Sequence, residues 1–97
     1  MNYKRKLISQ VTKEDSRVAV IGKVLEIGNN SFVLQDDTGT TEVFSDIPAE
    51  KDKLVRVYCS VIEGQLKADV IQDLTGFDLN LFKKVEELYN KAGVQTV

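Results

Sequence analysis

Handling a single-stranded nucleic acid takes flat rings for the bases and cations for the phosphates, and a few residues of this chain could supply both. Phe44 and Tyr58 are candidate stacking rings, with Lys23, Arg56 and Lys67 as candidate backbone contacts. Phe32 shares a face with Leu34 by alternation, which makes it a core residue. Tyr58 falls opposite the Val55, Val57 and Cys59 face, beside Arg56, and is the best placed of the rings to stack a base. The setting disfavours phosphate: Asp36, Asp37 and Glu42 lie close by, and the whole chain carries a net charge of −2. Proteins whose main task is gripping nucleic acid draw most of their affinity from Lys and Arg through counterion release. The balance therefore points first to a protein partner, with single-stranded DNA held weakly. The cluster Lys4-Arg5-Lys6 adds electrostatic contact or is a solvated tail.

Catalysis finds little material. The chain has no histidine, which removes Ser-His and Cys-His pairs and most zinc sites. Cys59 is the only cysteine and sits on the apolar face of an alternating segment, where it reads as a small buried hydrophobe. Asp36 and Asp37 are adjacent at a turn, and turn initiation is their expected work. No catalytic residue, metal site or cofactor is expected. At 97 residues the chain fits one domain with a modest core. It has no apolar run approaching a membrane span and no apolar stretch near its start of the kind a secretion signal needs. An intracellular protein is expected, nuclear if eukaryotic, cytoplasmic or nucleoid-associated if archaeal.

The elements that must carry these residues are read from periodicity. After an N-terminal segment, 1–16, whose Leu7, Ile8 and Val11 could form a helical turn or two over one end of the domain, a first strand runs from about Arg17 to Ile27. Both its faces are apolar, and Gly22 sits where such a strand would bend to serve two halves of a barrel. Gly28-Asn29-Asn30, residues that accept the positive φ of tight hairpin loops, lead to a second strand at about Ser31–Asp36. Asp37-Thr38-Gly39-Thr40 turns into a third at about Thr41–Ser45. Ser45–Lys53, with the only proline, has room for a turn but no helix. Leu54–Ile62 alternates throughout. Glu63-Gly64 turns it back into a fifth strand, Gln65–Asp73, with Leu66, Ala68 and Val70 expected inward. A long first strand with an internal glycine followed by a D-x-T-G turn is how small Greek-key barrels of the OB type begin. The fold class expected is an all-β barrel: a five-stranded OB-fold over 17–75, followed by a C-terminal amphipathic α-helix.

That helix is expected within 76–93, where alternation gives way to helical spacing. Asp78 can cap its start and Gly93 its end. Leu81, Phe82, Val85, Leu88, Tyr89 and Ala92 fall on an arc of roughly 120° at about 100° per residue. The stripe either packs on its own barrel or meets helices of other chains. Spacings of four, three and four residues from Leu81 through Val85 and Leu88 to Ala92 resemble a bundle seam, which favours partner binding. Burying four or five such side chains contributes about 1.5–3 kcal/mol each before entropy costs.

A compact OB barrel followed by Phe77-Asp78-Leu79-Asn80-Leu81-Phe82 and KKVEELYNK resembles the small subunit of replication protein A, a single-stranded-DNA-binding heterotrimer. The first strand, Val18 through Ile27, also fits that family's pattern, and the resemblance spans about Ser16 to Asn90. It implies an architectural subunit whose C-terminal helix joins helices of larger OB-fold subunits, with Leu81, Phe82, Val85, Leu88, Tyr89 and Ala92 facing the bundle. Related small OB subunits serve telomere-capping complexes and some archaeal DNA polymerase holoenzymes. The expected function is therefore a non-catalytic OB-fold subunit of a DNA replication, repair or telomere complex. A stand-alone strand-binding module and a DNA polymerase accessory subunit are the alternatives.

Overall fold

The computed structural model describes residues 2–74. Six strands follow in the order β1 (Lys4–Arg5), β2 (Arg17–Ile27), β3 (Ser31–Asp36), β4 (Gly39–Phe44), β5 (Leu54–Ile62) and β6 (Gln65–Asp73). They form one sheet in the spatial order β1-β2-β3-β4-β6-β5, and pairing of β2 with β5 closes it into a barrel. This is the expected OB-type barrel with a short extra strand in front. The amphipathic stretch expected as a terminal helix, within 76–93, lies outside the described residues.

Closure depends on β2 being shared. Its N-terminal part pairs antiparallel with β5 from Arg17↔Ser60 to Lys23↔Leu54, and its C-terminal part pairs with β3 from Lys23↔Gln35 to Ile27↔Phe32. Val18, Val20 and Val24 point inward and are buried, with Phe32, Leu34, Val43 and Val57 filling the rest of the core. Gly22 lies at the bend. A Cβ there would stand 2.5 Å from the Gln35 carbonyl oxygen and 2.9 Å from Leu34 Cγ, so only glycine lets the two halves approach.

Three expectations need correction. Of the helical turn or two expected around Leu7, Ile8 and Val11, a single 3-10 turn forms at Ile8–Gln10, and Lys4–Arg5 is no loose tail but pairs in parallel with Val18 and Ala19 of β2. Backbone groups along that edge of β2 would otherwise lack partners, and a short parallel strand supplies them. Val70 does not point inward: it is 52% exposed. Tyr58 pairs with Val70 but Cys59 with Ala68, so Asp69 is an extra residue that forms a bulge and flips the side-chain parity beyond it. Ile71 packs against the core instead. Finally, none of Gly28, Asn29 and Asn30 has positive φ. That loop closes through the Gly28 N–H on the Ser31 carbonyl at 2.7 Å. Positive φ appears at Glu63 (53°) and Gly64 (79°), the β5–β6 turn, as a primed hairpin turn demands.

The N-terminal segment is tied down by a carboxylate. Asp36 Oδ1 accepts from the Thr38 N–H at 2.7 Å and hydroxyl at 2.6 Å, which makes the β3–β4 turn, while Oδ2 accepts from the Ile8 N–H at 2.8 Å. Ile8 then inserts into the core. A second staple, Lys6 Nζ to Asp15 at 2.8 Å, folds residues 6–15 on themselves. Partial burial opposes ionisation of Asp36, but hydrogen bonds from Thr38, Ile8 and Gly39 outweigh it and hold its pKa below the ordinary carboxylate value.

Two measurements check these points. Gly22→Ala is expected to lower stability to urea unfolding by roughly 1–3 kcal/mol, because a backbone oxygen leaves the added methyl no space. For Asp36, the folded-state pKa lies below the unfolded value of about 3.9, so its contribution is present above that pH and lost as pH falls through the folded value. Asp36→Asn is expected to cost on the order of 1–2 kcal/mol at pH 7 and to flatten the acid limb of the stability profile below about pH 4.

Candidate functional site

The outer surface of β2, β5 and β6 brings together residues that are distant in sequence. Arg56, Tyr58 and Ser60 point outward from β5, opposite Gln72, Val70 and Lys67 of β6. Arg56 donates to the Tyr58 hydroxyl at 3.4 Å and to Gln72 Oε1 at 3.2 Å. Tyr3 packs edge-on against Tyr58, with ring centroids 5.2 Å apart and planes at 71°. Asp69, set by its bulge, accepts from the Tyr3 hydroxyl at 3.0 Å and the Ser60 hydroxyl at 2.6 Å. Donation to Asp69, then desolvation, raises the Tyr3 phenol above its usual value. Tyr58 is thus half-buried beneath another ring, and a carboxylate holds that ring in place.

Sequence reasoning paired Tyr58 with Arg56 and the structure brings them into contact. It missed Tyr3 and Asp69. Alternation carries no trace of the bulge, and Tyr3 arrives only because β1 pairs with β2.

The remaining candidates lie elsewhere on the barrel. Phe44 is half-buried on β4, in register with Lys67 of β6. Lys23 stands at the β2 bend, 3.9 Å from Asp52 in an exposed ion pair. OB barrels characteristically bind oligonucleotides over the face that corresponds here to β3 and β4. Across that face Glu26 and Glu42 both stand opposite Val33, and both are exposed. Glu42 Oε2 accepts from the Ser31 hydroxyl at 3.0 Å. Arg56, Tyr58 and Lys67 share the outer surface of β5 and β6, Phe44 adjoins Lys67 from β4, and Lys23 stands apart at the bend, while two carboxylates occupy the β3–β4 face.

Beside β4 is an open depression of about 340 Å³, floored by Ile8, Val11, Phe44 and Leu66 and rimmed by Lys13, Glu42 and Gly64. It exists because β4 and β6 pair only at Val43↔Leu66 and Phe44↔Lys67, leaving the start of β4 alongside the N-terminal segment.

Cys59 is fully buried, and desolvation, followed by the charge of Asp69, pushes its thiol up to about 12. Such a thiol is inert at neutral pH. Among the described residues no group of carboxylates or thiols is arranged to hold a metal ion, and no helix is long and apolar enough to cross a membrane.

No family model matches the chain, and no curated protein matches it closely enough to count as a relative. Solved structures do resemble it. The crystal structure of the S. pombe Stn1-Ten1 complex includes a chain with a TM-score of 0.74 at 15% identity, covering 94% of each chain. The telomere capping protein Ten1 from Saccharomyces pombe gives 0.75 at 16% identity over 93% of this chain and 99% of that one. Replication protein A from U. maydis, solved bound to single-stranded DNA, gives 0.61 at 23% identity over 94% of each. At these identities the likeness shows the fold. Telomere-capping proteins and replication protein A, both among the groups the sequence resembles, thus share the fold of this chain.

If Glu26 and Glu42 keep phosphate off the β3–β4 face, reversing them should admit it. The double variant Glu26→Lys, Glu42→Lys is expected to bind a short oligothymidylate on the order of tenfold more tightly than the parent at low salt, an advantage that fades above about 0.2 M. Fluorescence anisotropy across a salt series reads this directly.

Proposed function

We propose that this protein is a non-catalytic OB-fold subunit of a single-stranded-DNA-binding complex that serves replication, repair or telomere capping. It assembles with larger OB-fold subunits through residues 76–93 and adds at most weak DNA contacts of its own. The observation that carries the reading is the contrast between the two ends of the chain. The barrel closes within residues 17–74 through β2–β5 pairing, and its strand-binding face presents Glu26 and Glu42. The amphipathic sequence that follows is therefore not needed to complete the barrel, which supports assembly as the role of its apolar stripe. Shared fold with Ten1, with a chain of the Stn1-Ten1 complex and with replication protein A supports the same class of role, which in a eukaryote places the protein in the nucleus.

Within this reading Leu81, Phe82, Val85, Leu88, Tyr89 and Ala92 contact the partner. A stand-alone strand binder is the second reading, favoured by the Arg56–Tyr58 contact, which sets a cation beside a ring. A DNA polymerase accessory subunit is a variant of the first, with the polymerase in place of the larger OB subunit.

Capture of the tagged protein from its native cells, with nuclease treatment and mass spectrometry, separates them. Stoichiometric larger OB-fold subunits or a polymerase are expected. Val85→Asp with Leu88→Asp should release that partner and leave the unfolding midpoint of the barrel unchanged. Retained assembly in the double variant overturns the proposal. So does recovery of the protein alone with salt-sensitive oligonucleotide binding that Tyr58→Ala abolishes.

A further inference from the structure

Among the described residues, no strand lies against the outer edge of β4 before Val43. The Ser45 N–H donates to the Asn30 carbonyl at 2.9 Å, which fixes the parity of the β3–β4 ladder. Odd-numbered residues of β4 turn their backbone groups to β3, and Thr40, Glu42 and Phe44 turn theirs away. At Val43 and Phe44 the outer edge meets β6. Earlier in the strand the Thr40 N–H and C=O and the Glu42 N–H have no partner among the described residues. This open length, Gly39–Glu42, spans about 13 Å and borders the depression floored by Ile8, Val11, Phe44 and Leu66.

An exposed edge beside a depression of mixed apolar and polar lining is a template for an added strand: backbone bonds give affinity, and a pocket for alternate side chains gives choice. The geometry points to this edge as the docking site for an extended segment of a partner protein, with an apolar side chain seated in the depression and basic side chains flanking it. Charge selects the occupant. Glu42 lies on the edge itself, Glu26 stands across Val33 from it, and Glu63 precedes Gly64 of the rim, three carboxylates against Lys13 of the rim and Lys67 beside Phe44. A nucleic acid would meet these carboxylates. In a second copy pairing edge to edge, the two Glu42 side chains would be brought together. A strand with lysine or arginine opposite Glu42 gains a cross-strand pair instead. The surface is built from residues within 8–66, and the inference does not rest on the role proposed for residues 76–93.

The test uses the full chain, isotope-labelled, and a short capped peptide of alternating lysine and valine. Binding is expected to shift the backbone resonances of Thr40, Glu42 and Val11 and to slow amide exchange at Thr40 and Glu42. The same peptide N-methylated on alternate residues, so that one edge cannot donate, should not bind in the register that needs those donors. Glu42→Lys should weaken the parent peptide by roughly threefold to tenfold while its melting temperature stays that of the parent. Four results would overturn the inference: no binding, shifts confined to the Tyr58 surface, equal binding of the methylated peptide, or Thr40 and Glu42 amides already protected in the free chain. In the last case residues 75–97 or a second copy hold the edge, which a variant ending at Leu74 and a sedimentation measurement tell apart.

Discussion

The whole barrel hangs on one strand serving two neighbours. Lys23 pairs with Gln35 on one side and Leu54 on the other, and the residue before it has no side chain because a carbonyl oxygen occupies the space one would need. Without that bend the β2–β3–β4 meander would be a small open sheet with an apolar face in water. With it, Val18 and Val20 face the same interior as Val24, and a core of branched aliphatic side chains closes around Phe32 and Leu34. The Ser45–Lys53 connection is drawn in by the same bend. Val24 donates to the Lys53 carbonyl at 2.9 Å and accepts from the Asp52 N–H at 2.7 Å, so the loop that lacks a helix is held by backbone bonds.

Periodicity made most of this legible. Alternation placed β2 to β5 and their inward faces, and chemistry-specific residues marked the turns: Glu63-Gly64 with positive φ, Asp36 as acceptor for Thr38 and Gly39. Where the reading failed, the cause was long-range. One extra residue, Asp69, reverses the parity of the second half of β6, and nothing local in QLKADVIQD distinguishes a bulge from a straight strand. β1 is two residues whose existence depends wholly on the edge of β2 they meet.

The candidate site divides along the same line. That Arg56 and Tyr58 would be neighbours follows from their i, i+2 spacing on one strand face. That Tyr3 would cover Tyr58, and that Asp69 would anchor Tyr3, follows only from the bulge and from β1. Those tertiary contacts change the chemistry. A lone tyrosine beside an arginine is a stacking platform, whereas one already packed by a second ring must exchange that contact for a base. The gain is then the difference between two aromatic contacts, each worth about 1 kcal/mol or somewhat more.

Competition of that kind, together with the carboxylates on the β3–β4 face, would weaken strand binding without altering the architecture of an OB barrel. Affinity for a single strand sums several stacking contacts and phosphate contacts along one path. Here the path is interrupted: Phe44 and Lys67 lie at one seam, Lys23 is engaged by Asp52 at the bend, and Arg56 is engaged by Gln72. No single contact is lost for want of the residue type, since rings and cations are all present. What composition cannot reveal is prior engagement: a ring packed by a second ring and cations already paired must exchange those contacts before they meet a strand. On the proposed reading, a barrel of this kind would serve a nucleic-acid complex chiefly through what it holds in place, and its energetic weight would fall on protein contacts beyond the strand-binding face.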